Sequence, residues 1–232
     1  MSMQSKLKAR GIFLLLTFFV LLAVIFSPVF PGKDSKVNGL DYMDNLFNMI
    51  SKGSSYFVKE SLKKNEKFVG KTIDVKVKLD DDKRAAETAK LLEVNGAKVT
   101  VNGKEVAFKG DMGLIMKGSL NDADTMYNND EKPVVEKYGF SGKQAMFNWH
   151  TLFKKISNDL TKQEKFDEAK PFADVQKKAL EPAYNYYGVQ AENWQDKIVM
   201  VVLALAFYVF YTVWYGFGLM WLFEGLGLKI GH

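Results

Sequence analysis

The chain has 232 residues, a formal net charge of +5, two histidines and no cysteine; without thiols there is no disulfide, thiolate metal site, iron–sulfur cluster, C-x-x-C-H haem attachment, cysteine nucleophile or lipoprotein acylation. Lys6, Lys8 and Arg10 before the first apolar run, with Lys197 and Lys229 against Glu224 around the second, account for four of the five net charges, so the middle of the chain is close to neutral. Arg10 and Arg84 are the only arginines, which argues against a nucleic-acid surface built on bidentate guanidinium contacts.

A mean hydropathy of -0.13 averages two unlike kinds of sequence. Ile12–Phe26 is apolar except for Thr17, and the run continues through Ser27, Pro28, Val29 and Phe30. As a helix, residues 12–30 rise about 28 Å, close to the thickness of a bilayer's hydrocarbon core. The basic arm of residues 1–11 places the N-terminus in the cytoplasm and makes residues 12–30 a signal anchor. A cleaved signal peptide shares the basic and apolar regions, but VIFSPVFPG has no small-x-small site, and Pro28 and Pro31 crowd the place for one.

Residues 31–196 then read as an extracytoplasmic α+β domain. Leu40, Met43, Phe47, Ile50 and Phe57, widened by Leu46 and Met49, mark one face of an amphipathic helix that packs on the core, a coiled-coil seam being the rival. Lys63 to Lys67 form its solvated end. Ile73, Val75, Val77 and Leu79 alternate with polar residues as in a half-buried strand. Asp80, Asp81 and Asp82 precede a helix through Ala85, Ala89 and Leu92 that stops at Asn95-Gly96. Acids at a helix start cap free N–H groups, and no calcium-loop pattern follows them. Val99 and Val101 lead to Asn102-Gly103, and Val106 and Phe108 follow, a hairpin signature. Residues 71–109 are therefore expected to form a small β-α-β-β mixed sheet with one covering helix, with Met112–Met116 as a further strand before the polar stretch SLNDADTMYNNDEKP.

Ser141 and Gln144 make a capping box for a helix whose Met146, Trp149, Phe153, Ile156 and Leu160 line one face. His150 lies beside that stripe with no second histidine at i+4, so it reads as a surface or hydrogen-bonded residue and not a metal ligand. Pro171 suits a first helical turn, and Phe172, Val175 and Ala179 continue an apolar face as far as Pro182. Tyr184, Tyr186 and Tyr187 then fall just before the second apolar segment, against headgroups or a partner.

Ile198–Phe223 carries no charge and is long enough to span a bilayer with tilt, Trp194, Trp214 and Trp221 standing as interfacial aromatics. The expected layout is a second transmembrane helix at 197–224 and a short cytoplasmic tail at 225–232. This describes a two-pass protein of the cell membrane, in the manner of a bacterial inner membrane, with both termini cytoplasmic and the main domain periplasmic or extracellular. Glu224 reads as an interfacial carboxylate. Along the second helix Tyr208, Tyr211 and Tyr215 recur at helical spacing, with Thr212 beside them, and Thr212 and Gly216 form a small-xxx-small step. Tyr208 and Tyr211 lie about 15–20 Å in by helical rise, where an unpaired hydroxyl is costly. At that depth the first helix presents side chains such as Val20 and Leu21. These five residues are the candidate contacts with other integral-membrane subunits, or with a bound lipid or quinone. No nucleophile–base pair, paired acids, Gly-rich phosphate loop or metal motif is legible, and no resident cofactor is implied. The sequence thus points to a non-catalytic accessory or assembly subunit of a larger membrane complex, the alternative being an extracytoplasmic sensor or ligand-binding module that acts through a partner.

Overall fold

The computed structural model describes residues 2–228; the end of the expected tail, with Lys229 and His232, lies outside them. Chain contacts divide it into a unit of residues 1–51 with 191–232 and a second unit of residues 52–190.

The first unit is built on two helices long and apolar enough to cross a membrane, α1 (Met3–Phe26) and α10 (Trp194–Gly225). Ser2 caps α1 through the Ser5 amide. The helix stops at Phe26, short of the expected Phe30, because Pro28 pushes Ser27 out of helical geometry. Phe30 and Val37 then pair as an isolated bridge, and Asn38 accepts the Asp41 amide at 2.8 Å to start α2 (Gly39–Ser54). The two long helices approach backbone to backbone at glycines. A Cβ on Gly11 would sit 2.5 Å from Leu222 N, and one on Gly225 would sit 2.4 Å from Lys8 N. The expected apolar stripe of α2 is not what packs inward. Leu46 is buried while Leu40, Phe47 and Phe57 are exposed, because the helix is apolar on adjoining sides and its inward side lies about 100° from Phe47, one residue round. The helix also ends at Ser54, and Phe57 precedes a separate helix, α3 (Val58–Asn65).

The second unit is helix-rich α+β. Its sheet comprises β1 (Thr72–Lys78), β2 (Lys98–Asn102) and β3 (Glu105–Asp111) in the order β1-β3-β2. Both pairings are antiparallel, with Val75 opposite Phe108 and Val101 opposite Val106, so the expected mixed sheet is corrected. The Asn102-Gly103 turn seats β3 beside β2, β1 takes the other edge of β3, and the two parallel-running strands never touch. Ile73, Val75 and Val77 are buried on one face as their alternation requires. The covering helix α4 (Asp82–Val94) is capped by Asp81, whose Oδ1 accepts the Arg84 amide at 2.8 Å, while Asp80 holds the Arg84 guanidinium at 2.7 Å.

The largest departure from expectation is α5 (Met112–Tyr127), a helix where a strand and a polar loop were read. Asp111 caps it through the Leu114 amide, and Met112, Ile115, Met116, Leu120, Ala123 and Met126 are fully buried at three- and four-residue steps. The polar residues among them hid that period. After α6 (Lys132–Tyr138) comes α7 (Gly142–Lys162), capped by Ser141, whose stripe Met146, Trp149, Phe153, Ile156 and Leu160 is buried as read. α8 spans Phe166–Val175, so Pro171 lies inside the helix and not in its first turn; only the carbonyl one turn back loses its donor. A π-helical turn at Gln176–Leu180 leads into α9 (Glu181–Asn185). Pro182 has no amide to offer Lys178, and the Glu181 amide reaches back five residues to Gln176 instead.

Candidate functional site

In the first unit α1, α2 and α10 line an apolar groove of about 620 Å³. Leu22, Ile25 and Phe26 come from α1; Leu40, Tyr42 and Met43 from α2; Met200, Leu203, Ala204, Phe207, Tyr208 and Tyr211 from α10; Phe30 closes the set with Gly39. No charged residue lines it. The Asn38 cap and the Phe30–Val37 bridge place Tyr42, whose ring stacks on Phe30 with centroids 5.9 Å apart. Its hydroxyl donates to Met200 Sδ at 3.4 Å, and a thioether is a weak acceptor. Phe207 stacks on Tyr211 at 5.9 Å.

Among the five candidate residues, two line this groove, Tyr208 and Tyr211, and neither hydroxyl has a hydrogen-bond partner among the described residues. Tyr211 also stacks on Phe18 of α1 at 4.4 Å, and Tyr215 packs on the same ring at 4.8 Å. The first helix therefore meets Tyr211 and Tyr215 with an aromatic ring and no polar group. Thr212 donates to its own helix at the Tyr208 carbonyl, 2.8 Å away. Gly216 meets nothing within 4 Å, whereas Gly218 packs on Leu15. The helix thus has one glycine-bearing side filled by α1 and another, with Thr212 and Gly216, left open.

The second unit holds two buried polar centres that the sequence did not disclose. Asp122 on α5 is 4% exposed; its Oδ2 accepts the Tyr138 hydroxyl at 2.6 Å and the Trp149 indole N–H at 2.9 Å, and its Oδ1 faces Lys137 Nζ at 3.1 Å. Asn95 donates to the Tyr138 oxygen at 2.9 Å. Burial, then the Asp122 charge, pushes the Tyr138 phenol well above its ordinary range. The carboxylate accepts three bonds from α6 and α7 and its surroundings are packed, which suits a structural tie between α4, α5, α6 and α7. At the start of the unit Lys52 is 1% exposed. Its ammonium donates to Asn129 Oδ1, the Tyr186 carbonyl and the Val189 carbonyl at 2.8, 3.0 and 2.7 Å, and lies 5.0 Å from the Tyr127 ring centroid. Desolvation lowers its pKa. Three neutral acceptors for three donors make it a clamp where the chain enters and leaves this unit. A cleft of about 390 Å³ between α3, α5 and α8 mixes Lys64, Lys67, Lys170 and Lys178 with Glu60, Asp167 and Asp174.

His150 Nε2 lies 2.9 Å from Gln176 Nε2, an arrangement that needs the ring nitrogen unprotonated. Burial lowers its pKa, with Glu181 raising it and Lys154 lowering it. The unfolded chain therefore binds this proton first. The stabilising contribution is present above about pH 6.5 and is lost as pH falls through the folded value. Thermal stability is expected to fall between pH 7 and pH 5 more steeply for the wild type than for His150→Gln, as followed by tryptophan fluorescence; parallel curves would contradict this. Among the described residues no group of three or more histidines, cysteines or acids is placed to hold a metal ion. Compared with known proteins, the chain matches no family model, no curated protein and no solved structure.

Proposed function

We propose that this protein is a non-catalytic accessory or assembly subunit of a larger integral-membrane complex. On this reading α1 and α10 anchor it as a two-pass hairpin with both termini cytoplasmic, and the α+β unit is displayed on the far side for interaction. The observation that carries it is the open side of α10. Gly218 and Gly225 are consumed in packing α1, whereas Gly216 meets no atom within 4 Å and stands one turn from exposed Thr212. A small-xxx-small step of this kind lets another helix approach closely, and such approach is a main source of helix association in lipid.

The test is the retention of companion membrane proteins through gentle detergent purification. Gly216→Leu adds volume only on the open side, so the variant is expected to fold and express as the wild type while companion retention falls about tenfold, equivalent to about 1.4 kcal/mol. A photo-crosslinker at position 216 is expected to capture polypeptide. Undiminished retention, or capture of lipid alone, would return α10 to the role of a plain anchor. The sensor reading has one observation of its own, the mixed-charge cleft of the α+β unit, and a wild-type chain that purifies alone would favour it.

A further inference from the structure

We infer that the groove formed by α1, α2 and α10 binds the ring of an isoprenoid quinone. This rests on the membrane-anchored reading above and goes beyond it, since it concerns a different side of α10 from the one assigned to partner helices. The groove's volume of about 620 Å³ lies within the range of small-molecule sites, about 300–1,000 Å³. The absence of charged residues from its lining excludes an ionic ligand, because an unpaired ion in such surroundings is strongly penalised.

Within lipid the default occupant is an acyl chain, but two features gain nothing from one. Tyr42, Tyr208 and Tyr211 bring three phenolic donors to the groove. One donates only to a thioether and the other two have no partner among the described residues. Donors in hydrocarbon demand acceptors, and a saturated chain supplies none. The stacked pairs Phe30–Tyr42 and Phe207–Tyr211, with interplanar angles of 27° and 26°, present flat aromatic surfaces. Such surfaces favour a planar ring by offset stacking. A ligand that is planar, uncharged, bears carbonyl oxygens and continues into a hydrocarbon tail satisfies both demands, and membrane quinones have that chemistry. The proposal is one of binding; no electron-transfer step is assigned to this chain.

The full-length chain, purified without companions and placed in nanodiscs of phosphatidylethanolamine and phosphatidylglycerol, would be titrated with ubiquinone-2 and with menaquinone-4. Tryptophan quenching and quinone extracted after re-isolation are the readouts. Saturable binding of one quinone per chain is expected for at least one of the two. Tyr42→Phe with Tyr211→Phe keeps both rings and removes two donors, and should weaken binding about tenfold. Ala204→Trp fills the groove and should abolish the saturable component, while Gly216→Leu should leave it unchanged. Quenching that rises linearly with quinone in the wild type, or equal affinity in the wild type and both groove variants, would overturn the inference. A tightly held phospholipid that quinone cannot displace would overturn it as well. Companion retention is read separately, so quinone binding with no companions, or companions with no quinone binding, tells which of the two readings failed.

Discussion

Asp122→Ala is expected to destabilise the protein by about 3–5 kcal/mol, the range found when one partner of a buried charged network is removed. The substitution strips the Trp149 indole N–H of its acceptor at 2.9 Å and the Tyr138 hydroxyl of its acceptor at 2.6 Å. Both residues are essentially inaccessible to water, so neither donor can turn to solvent. The loss is a large share of a typical domain's stability of about 5–15 kcal/mol. Asp122→Asn, which keeps an acceptor oxygen, should cost clearly less. Lys137→Met should cost less again, because the lysine side chain is 31% exposed and its attraction is partly screened. The order Ala, Asn, then the lysine variant would be read from urea unfolding of the full chain in detergent, followed by tryptophan fluorescence. An alanine variant within about 1 kcal/mol of the wild type would show that the network carries little stability.

Gly11→Leu is expected to separate α1 from α10. Even a methyl group at Gly11 would fall 2.5 Å from Leu222 N and 2.8 Å from its Cα. These are backbone atoms, so no rotamer change can clear them, and the helices must part. Parting them would forfeit the stacking of Phe18 on Tyr211 and Tyr215. The natural chain has no cysteine, which makes disulfide trapping clean. With cysteines introduced at positions 18 and 211, cross-linking should be efficient in the parent, nearly absent with Gly11→Leu, and unchanged with Gly216→Leu. Equal trapping in all three would mean that the glycine contacts do not determine the pairing. The contrast also separates the two sides of α10, because loss of companions in Gly216→Leu with α1 still trapped assigns the open side to a partner.

Features governed by short-range rules were legible in the sequence. Uncharged runs of membrane length mark α1 and α10, period-two alternation marks β1, Asn102-Gly103 marks the hairpin, and Ser141 with a three-and-four stripe marks α7. Each depends on neighbours a few residues apart, although α1 takes in most of the basic arm from Met3 and stops at Phe26, short of Phe30. α5 was not legible, although its period is regular. Ser119 and Asp122 lie on its buried side, and a buried aspartate looks like a loop residue until Tyr138 and Trp149, 16 and 27 residues on, are known to bond it. The Lys52 clamp was hidden in the same way, since its acceptors lie at Asn129, Tyr186 and Val189.

The candidate site was legible in part. Helical spacing alone identified Tyr208, Tyr211, Thr212, Tyr215 and Gly216 as a polar and small-residue feature in an apolar helix. It could not divide them, because spacing tells which residues share a side and is silent on what covers it. Only the tertiary structure joins Tyr211 to Phe18, puts Tyr42 from a separate helix into the same groove as Tyr208, and leaves Gly216 open while Gly218 is packed. The sequence by itself determined the apolar spans, the strand alternation and the caps, since those follow from local sterics, hydrogen bonding and side-chain period. The sheet order, the buried polar centres and the groove were decided by contacts between residues far apart in the chain, for which no local pattern exists.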